Sequence, residues 1–380
     1  MNKAIYLCAA AALALASCSN DETVEIAQQK GISFRAIAGL NTRGVETTQT
    51  NLQSMYVTAY ENGATAAYFS NVTFKRDGQT NTFVSDPQYN WLKGKTINFL
   101  ALSPQATDWP AANTITFNNT AFEAVFTDVT PDTDISKQKD LMIGKASGTE
   151  NNDANGLDLT LNHVLSQIQI QAQHTNKAYT YTIKGVRIAS VKAKGTYTLS
   201  TDAWTPGTDY ETYDVILDNP ITLDGENQKT AVLMKQIGQA YDNAMLIPQQ
   251  LTAWAGDKDN SGDNFDKGSY ISLLLNVKSN GGSYIYPSGA TDDTQCGWAA
   301  VAINTNWEAG KKYIYTLDLS NGCGKVDPVE PNEDPQNPIV KPQPDGNDPD
   351  KGEKIFGDPI KFDVTVTEWT DTTGNDITLQ

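Results

Sequence analysis

The sequence is poor in the residues on which most enzymatic and metal chemistry depends. Its 380 residues include two histidines, His163 and His174, and four cysteines. No serine or cysteine nucleophile motif lies near either histidine, and no Gly-x-Ser-x-Gly elbow or phosphate-binding glycine loop occurs. We therefore predict that the protein is not an enzyme, that it needs no cofactor, and that both histidines are structural.

Positively charged residues are also scarce. The chain has 28 Lys and Arg residues against 45 Asp and Glu residues, which gives a formal net charge of −17. A strongly acidic surface is repelled by nucleic acid and by anionic membrane surfaces, so we expect neither as a partner. The same charge suits a soluble extracellular protein whose copies repel one another.

Long hydrophobic runs are absent except near the start of the chain. Residues 4–16 are almost wholly apolar and follow Lys3, but this run is too short to span a bilayer as a helix. We predict a signal peptide at residues 1–17. The residues ending at Cys18 resemble the bacterial lipobox, in which the cysteine is lipidated and begins the mature protein. Residues 18–30 would then be a lipidated linker; the alternative is an ordinary signal peptide with a chance cysteine.

Since Cys8 lies in the signal, the mature chain keeps two further cysteines, Cys296 and Cys323. They lie nearly equally far from a predicted turn at residues 306–310, between two strand-like runs. If those runs form a hairpin, the cysteines would face each other across its base. A disulfide is chemically allowed outside the cytoplasm. The sequence leaves open a disulfide or two free thiols.

Helical periodicity is missing after the signal. Short alternating runs dominate, bounded by Gly, Asn, Asp and Pro, and they predict an all-β fold of sandwich type. A boundary near residue 160 would divide an N-terminal domain, residues 31–160, from a C-terminal domain, residues 161–324. The run at 161–168 fits helical spacing as well, but it continues into an alternating run and we interpret it as the entry to a strand.

The C-terminal part of the chain changes character twice. Residues 325–359 contain eight prolines and many acidic residues, which predicts an extended tether. Residues 360–380 begin with a strand-like run whose apolar face carries four residues: Ile360, Phe362, Val364 and Val366. A flexible coil of this length spans roughly 30–35 Å, so the strand can reach its own domain or a neighbouring subunit. Tethering favours its own domain, but both pairings remain open.

A second strand-like run lies near the N-terminus. Residues 31–38 alternate, and the turn that follows them contains Arg43. If a protease cuts after Arg43, this first strand can leave together with the lipid anchor. Its loss would uncover two strand edges and an apolar groove, which a strand donated by another subunit could fill.

One segment has the spacing of a calcium-binding loop. Asp257, Asp259 and Ser261 supply oxygen atoms at positions 1, 3 and 5, a glycine follows at position 6, and Asp263 lies just beyond. Position 12, where a bidentate glutamate belongs, is Gly268. We therefore favour a solvated acidic loop over a weak calcium site and predict no bound metal.

Tryptophan residues allow a different function. Aromatic side chains in a β-sandwich are usually in the core, but they can also form a surface on which sugars stack. The alternative function is therefore a monomeric surface lipoprotein that binds host or dietary glycans. The candidates are Trp91, Trp109, Trp204, Trp254 and Trp298.

Several segments in a fixed order resemble a known family, the fimbrillin-like proteins of the Bacteroidales, which are the pilins of type V fimbriae. The likeness covers essentially the whole mature chain and depends on the ordered set rather than on one motif. The segments are the lipobox with residues 19–22, Phe34 with Thr42-Arg43, residues 57–60 (VTAY), 161–168 (LNHVLSQI), 245–249 (MLIPQ), 307–315 (WEAGKKYIY) and 364–369 (VTVTEW).

This resemblance implies two tandem transthyretin-like β-sandwich domains. It also implies export as a palmitate-bearing outer-membrane lipoprotein displayed on the surface, processing by an arginine-specific protease, and assembly by strand exchange. By position Arg43 matches the processing arginine, whereas Arg35 lies inside a strand and is the weaker candidate. The long Pro-rich segment departs from the simplest stalk pattern.

We therefore expect a structural subunit, stalk or tip, of cell-surface fimbriae that support adhesion and biofilm formation. Its partners would be other fimbrial subunits, and the outer membrane through the lipid anchor. The position of the subunit in the fibre and the identity of any host receptor stay open.

Overall fold

A computed structural model describes residues 30–38, 52–108, 115–118, 123–152, 156–226, 230–234, 243–329 and 348–369 of the chain. Strands dominate this described part, and the prediction of an all-β fold is confirmed. The described residues also include three short 3-10 helices, at Ala106–Asp108, Ile135–Lys137 and Gly262–Lys267. Within the described ranges, no helix is long and apolar enough to cross a membrane.

The strands, in chain order, are β1 (Ser33–Ala38), β2 (Ser54–Glu61), β3 (Ala67–Arg76), β4 (Thr82–Ser85), β5 (Ile97–Ser103), β6 (Ile115–Asn118), β7 (Glu123–Val129), β8 (Met142–Gly148), β9 (Leu157–His163), β10 (Ser166–Gln173) and β11 (Tyr179–Lys192). They continue with β12 (Gly195–Thr198), β13 (Ala203–Pro206), β14 (Tyr210–Leu223), β15 (Thr230–Val232), β16 (Ala244–Leu246), β17 (Tyr270–Ser279), β18 (Tyr284–Tyr286), β19 (Gly297–Ala302), β20 (Lys311–Asp318), β21 (Lys325–Val326) and β22 (Lys361–Glu368).

The first sheet is closed. Its seven strands follow the order β1-β4-β3-β2-β5-β8-β9, and β1 joins the two ends because it pairs antiparallel with β4 and parallel with β9. Alternation along the strands sends Phe34, Val57 and Phe74 into one enclosed core. This single closed sheet replaces the pair of open sheets expected for a sandwich at residues 31–160.

Two sheets of the second half face each other. One has the order β15-β10-β20-β22, with β16 also paired to β10, and the other has the order β14-β11-β17-β19-β21, with β18 paired to β17. Their inner faces share the largest core among the described residues, in which Ile168 and Tyr315 of the first sheet join Ile183 and Leu273 of the second. This arrangement is a two-sheet sandwich.

A fourth sheet connects the two halves of the chain. Its order is β13-β12-β7-β6, so strands from both sides of residue 160 pair within it. A core under this sheet combines Leu102 and Phe126 with Val164 and Tyr197. The boundary predicted at residues 160 and 161 lies inside β9, because the alternating burial of that strand continues to His163. The interpretation of 161–168 as strand is confirmed, since β9 ends and β10 begins within it.

Both ends of the predicted tether are packed against the sandwich. Residues 325 and 326 form β21 on the edge of β19, and Asp348 is buried and accepts hydrogen bonds from the Ser288 amide. The Ile355 amide donates to the Gly324 carbonyl at 2.9 Å. Prolines and acidic residues did not prevent order here, because the backbone and carboxylate groups found hydrogen-bond partners elsewhere in the chain. Residues 330–347 lie outside the described residues.

Candidate functional site

The two strands expected to take part in assembly, β1 and β22, occupy opposite kinds of position. β1 lies between two neighbours of the closed sheet: Ser33–Arg35 pair with β4, and Phe34–Ala38 pair with β9. Two further backbone contacts extend its hold, since the Ile32 amide donates to the Tyr89 carbonyl at 2.7 Å and the Ala36 amide donates to the Asn81 carbonyl at 3.3 Å. β1 therefore fills a slot that has a strand on each side.

The described core-facing side chains at the start of β1 are buried, as the alternation predicted. Ile32 and Phe34 are completely inaccessible to solvent and Ala36 is nearly so. The ring of Phe34 lies edge-on to the rings of Phe74 and Phe99, with both centroid distances at 5.0 Å. These contacts make Phe34 the central side chain of the slot.

Ser33 and Arg35 lie on the outward side of β1, and the start of β9 lies very close to them. Arg35 donates from Nε to Oδ1 of Asp158 at 2.8 Å, and both side chains are partly exposed. Gly156 has a φ of +101°, and a Cβ atom at this position would approach Ser33 Oγ within 3.0 Å. The glycine thus lets β9 turn into its parallel pairing with β1.

β22 is, by contrast, an edge strand. It pairs antiparallel with β20 over its full length, and it is the last strand of its sheet within the described part of the chain. Phe362, Val364 and Val366 face the sandwich core but are only half-buried. Ile360 and Trp369, at the two ends, are buried. The terminal strand pairs with its own domain in this structure, which is the first of the two pairings left open by the sequence.

The far end of β22 is held by a stacked pair of rings. The Trp369 indole lies on the His163 imidazole with a centroid distance of 4.2 Å and an interplanar angle of 5°. His163 Nδ1 is 2.8 Å from Asp140 Oδ1, and both of these side chains are buried. His174 is buried in the sandwich core, with its Nε2 3.0 Å from the Tyr179 carbonyl oxygen. Both histidines thus pack against structural neighbours. Trp369 was the contact that sequence reasoning missed.

The two strands share a pattern of side chains. Together with the residue just before it, β1 reads Ile32-x-Phe34-x-Ala36-x-Ala38. The residue before β22 and the strand itself read Ile360-x-Phe362-x-Val364-x-Val366. In both strands the isoleucine and the phenylalanine lie two residues apart on the core-facing side. Aligning the two strands in the printed sequence reveals this match, so it could have been found without the structure.

Cys296 and Cys323 are both free and buried in the structure. The hairpin on which a disulfide depended does not form, because β19 and β20 belong to opposite sheets of the sandwich. Cys296 packs with Leu274 and Trp298, whereas Cys323 lies in the large sandwich core. Burial raises the pKa of the Cys296 thiol to about 12 and raises the pKa of Cys323 as well, so both thiols are protonated at neutral pH.

The calcium-like loop is arranged around internal hydrogen bonds. Asp259 accepts from Ser261 Oγ at 2.9 Å and from Asn264 Nδ2 at 2.8 Å, and the bond from Ser261 is the main cause that lowers the pKa of Asp259. Lys258 pairs with Asp350 at 3.2 Å. Across the described ranges, no group of three or more His, Cys, Asp or Glu side chains is placed to hold a metal ion.

A buried arginine, which no local sequence pattern indicates, holds the start of the Pro-rich segment. Arg187 on β11 donates to both carboxylate oxygens of Asp214, at 2.8 and 3.0 Å, and to Asp327 at 3.1 Å. Its guanidinium also lies 4.2 Å from the centre of the Trp298 ring. Although burial alone would lower the pKa of Arg187, the carboxylates of Asp327 and Asp214 outweigh that effect and raise it.

The described tryptophans do not form an exposed platform for sugars. Trp91, Trp254 and Trp298 are buried, and Trp204 is half-buried with its Nε1 donating to the Val164 carbonyl. Trp109 lies outside the described residues, as do Cys18 and Arg43. The glycan-binding alternative therefore has no support from the aromatic side chains that the structure describes.

The architecture is that of an all-β protein in which a closed sheet and a sandwich share a connecting sheet. The sequence model of the fimbrillin-like family matches residues 16–332, and the chain belongs to this family. Among curated proteins, none is significantly similar to it in sequence.

Three crystal structures of candidate cell adhesion proteins resemble the chain. One, from Bacteroides uniformis, is 13% identical, covers 91% of this chain and 99% of its own, and has a TM-score of 0.44. Another, from Parabacteroides distasonis, is 10% identical with the same coverages and a TM-score of 0.45. The third, from Bacteroides ovatus, is 15% identical, covers 77% of this chain and 93% of its own, and has a TM-score of 0.43.

Proposed function

We propose that the protein is a structural subunit, stalk or tip, of cell-surface fimbriae and that it polymerises by strand exchange. Export as a lipoprotein through Cys18 would deliver it to the outer membrane, and cutting at Arg43 would release β1 together with the lipid. Membership of the fimbrillin-like family supports the fimbrial role. Adhesion and biofilm formation follow as the work of the assembled fibre, in keeping with the description of the similar proteins as candidate adhesion proteins.

The slot occupied by β1 is the observation that carries this proposal. Removal of β1 would leave β4 paired only with β3 and β9 paired only with β8, among the described strands. It would also expose Phe74 and Phe99 where the ring of Phe34 had covered them. Two open strand edges flanking an apolar groove favour the entry of another strand of the same pattern.

The terminal strand of a second copy has that pattern. Phe362 would take the place of Phe34, and Ile360 the place of Ile32. At home, Phe362, Val364 and Val366 are half-buried and β22 pairs on one edge only. In the slot the same side chains would be enclosed and the backbone would pair on both edges. The donated strand would run parallel to β9, as β1 does.

The direct test treats the chain lacking residues 1–18 with an arginine-specific protease. We expect a stable fragment beginning at Gly44, followed by oligomers that size-exclusion chromatography resolves. Arg43→Ala should abolish both, whereas Arg35→Lys, which removes the other nearby arginine and keeps its charge, should leave cutting at Arg43 unchanged. Oligomers that form equally well from Arg43→Ala would show that assembly does not require release of β1.

Two donor variants test the register. Phe362→Ala should abolish oligomers, because the slot would keep a cavity of phenylalanine size. Val364→Ala should assemble at least as well as the natural chain, because the slot position it would enter is occupied by Ala36 in the uncut protein. If Val364→Ala fails and Phe362→Ala assembles, the alignment of Phe362 with Phe34 is wrong.

Lipid attachment is tested separately in the producing cell. Labelled palmitate should enter the natural protein and not a Cys18→Ala variant, which should also be lost from the outer-membrane fraction. Labelling that persists in Cys18→Ala would contradict the lipobox.

A further inference from the structure

β9 is held unequally by its two neighbours. Five of its residues pair with β1, from Leu157 opposite Phe34 to Leu161 opposite Ala38. Two pair with β8, namely Asn162 and His163, at the end of the strand. Release of β1 would therefore remove one of the two neighbours of β9 and five of its registered pairs, while β8 stays beside it with Asn162 and His163 in register.

The last residue of β9, His163, contacts the end of the terminal strand. His163 forms the stack on which Trp369 lies, and the imidazole is fixed from its other side by Asp140. Trp369 directly follows β22 and is buried. A change in the position of β9 would consequently change the surface on which the end of β22 lies.

A second set of contacts joins the same two regions through the backbone. Just after β9, Ser166 Oγ donates to the Glu308 carbonyl at 2.8 Å, and the Gly310 amide donates to the Leu165 carbonyl at 2.9 Å. The Trp369 amide in turn donates to the Gly310 carbonyl at 2.7 Å. The turn before β20 therefore lies between the end of β9 and the end of β22 and contacts both.

The hold on Trp369 has a built-in weakness. Its indole N–H is buried and has no hydrogen-bond partner among the described residues. A buried donor without an acceptor raises the free energy of the seated state relative to a state in which water reaches it. Apart from its backbone bond to Gly310, Trp369 is thus held by stacking on His163 and by burial, and a displacement of His163 would remove the stacking.

We propose that β9 couples the two ends of the chain: while β1 is present the terminal strand stays seated on β20, and loss of β1 loosens β22 for donation. This inference rests on the proposed strand exchange and adds a means of regulating when the donor strand becomes available. An uncut subunit would then offer neither an open slot nor a free donor, and one cut would provide both. Energetic coupling between two sites of a protein is commonly about 5- to 150-fold.

Hydrogen exchange followed by mass spectrometry tests the coupling. The sample is the chain lacking residues 1–18, compared before and after protease treatment with the β1 fragment removed, at a dilution that prevents oligomers. We expect exchange in peptides covering residues 361–368 to become about 5- to 150-fold faster after removal of β1. Peptides covering β17 should not change, because they lie in the opposite sheet of the sandwich. Adding back a synthetic peptide of residues 30–43 should restore slow exchange.

A matched pair of histidine variants identifies the route. His163→Ala should make exchange in residues 361–368 fast in the uncut chain and remove most of the further increase after cutting. His174→Ala removes an equally buried imidazole that contacts Tyr179 rather than the terminal strand. The His174→Ala variant should therefore still show slower exchange in residues 361–368 before cutting than after it.

The outcomes separate this inference from strand exchange itself. If cutting leaves exchange in residues 361–368 unchanged and oligomers still form at higher concentration, the coupling is wrong and strand exchange stands. If exchange rises and no oligomers form, the coupling stands and the proposed function fails. An equal effect of His163→Ala and His174→Ala would overturn the route through Trp369.

Discussion

Phe34→Ala is the sharpest test of the proposal that β1 occupies the slot into which another subunit donates a strand. The ring is completely buried and lies edge-on to Phe74 and Phe99 at 5.0 Å. Truncating a buried phenylalanine to alanine destabilises a protein by about 3–5 kcal/mol, because it removes transfer free energy and leaves a cavity. Since about 1.4 kcal/mol is a factor of ten, displacement of β1 should become easier by about a hundred- to a few thousand-fold.

The measurement has two parts on the chain lacking residues 1–18. Urea unfolding should show the loss of about 3–5 kcal/mol. Incubation at high protein concentration should then give oligomers without protease, because a weakened β1 yields its slot to a donor. Val84→Ala on the adjacent β4 is the control: that side chain is 36% exposed, so its loss should change stability by less than about 0.5 kcal/mol. A loss below about 1 kcal/mol for Phe34→Ala, or the full loss of stability without oligomers, would show that displacement of β1 does not open the site of assembly.

Three further predictions concern a buried ion pair, the two buried thiols and a helix cap. Asp327→Ala should destabilise the protein by about 3–5 kcal/mol in urea unfolding, because it leaves the buried Arg187 with one carboxylate partner. As the control, Asp350→Ala removes an exposed carboxylate that pairs with Lys258, and it should lower the free energy of unfolding by less than about 1 kcal/mol. The chain lacking residues 1–18 should give no reactive thiol when folded and two in denaturant, since Cys296 and Cys323 are buried with raised pKa values; no thiol in denaturant would mean a disulfide. Asp134→Ala should cost about 0.5–1 kcal/mol at pH 7, because the carboxylate caps the 3-10 helix at Ile135–Lys137. The hydrogen bond from Ser136, followed by Lys137, lowers the pKa of Asp134 to about 2, so its stabilising effect is present above pH 4 and should vanish as the pH falls to about 2.

Local alternation was enough to predict the strands that matter most. The run beginning at Ile32 and the run beginning at Ile360 both became strands, with the apolar faces directed at a core as expected. A period of two is a property of neighbouring residues, so the sequence displays it directly. The strand character of residues 161–168 followed from the same rule.

Partnership between distant strands was not predictable in this way. The runs that became β19 and β20 are close in sequence and were expected to form a hairpin, yet Ile303 and Trp307 make backbone bonds to Ser269 and Gln249 as the chain crosses between sheets. Composition likewise predicted a free tether at Asp327, whose partner Arg187 lies 140 residues earlier. Such contacts depend on which surfaces meet after folding, and a single sequence carries no local sign of them.

The competition between the home position of β22 and the slot of another copy decides whether fibres form. Tethering keeps the terminal strand near β20 at an effective concentration on the order of millimolar. At micromolar protein, pairing with β20 is therefore favoured about a thousandfold over insertion into the slot of another copy, if the two sites bind the strand equally well. Full enclosure of Phe362, which is half-buried at home, recovers part of that difference, and the second strand edge adds backbone bonds of about 0.5–1.5 kcal/mol each. A seat loosened by the loss of β1 would supply a further 5- to 150-fold. Assembly should therefore be negligible for the uncut chain, and it should respond both to the slot and, to a smaller extent, to the His163–Trp369 contact.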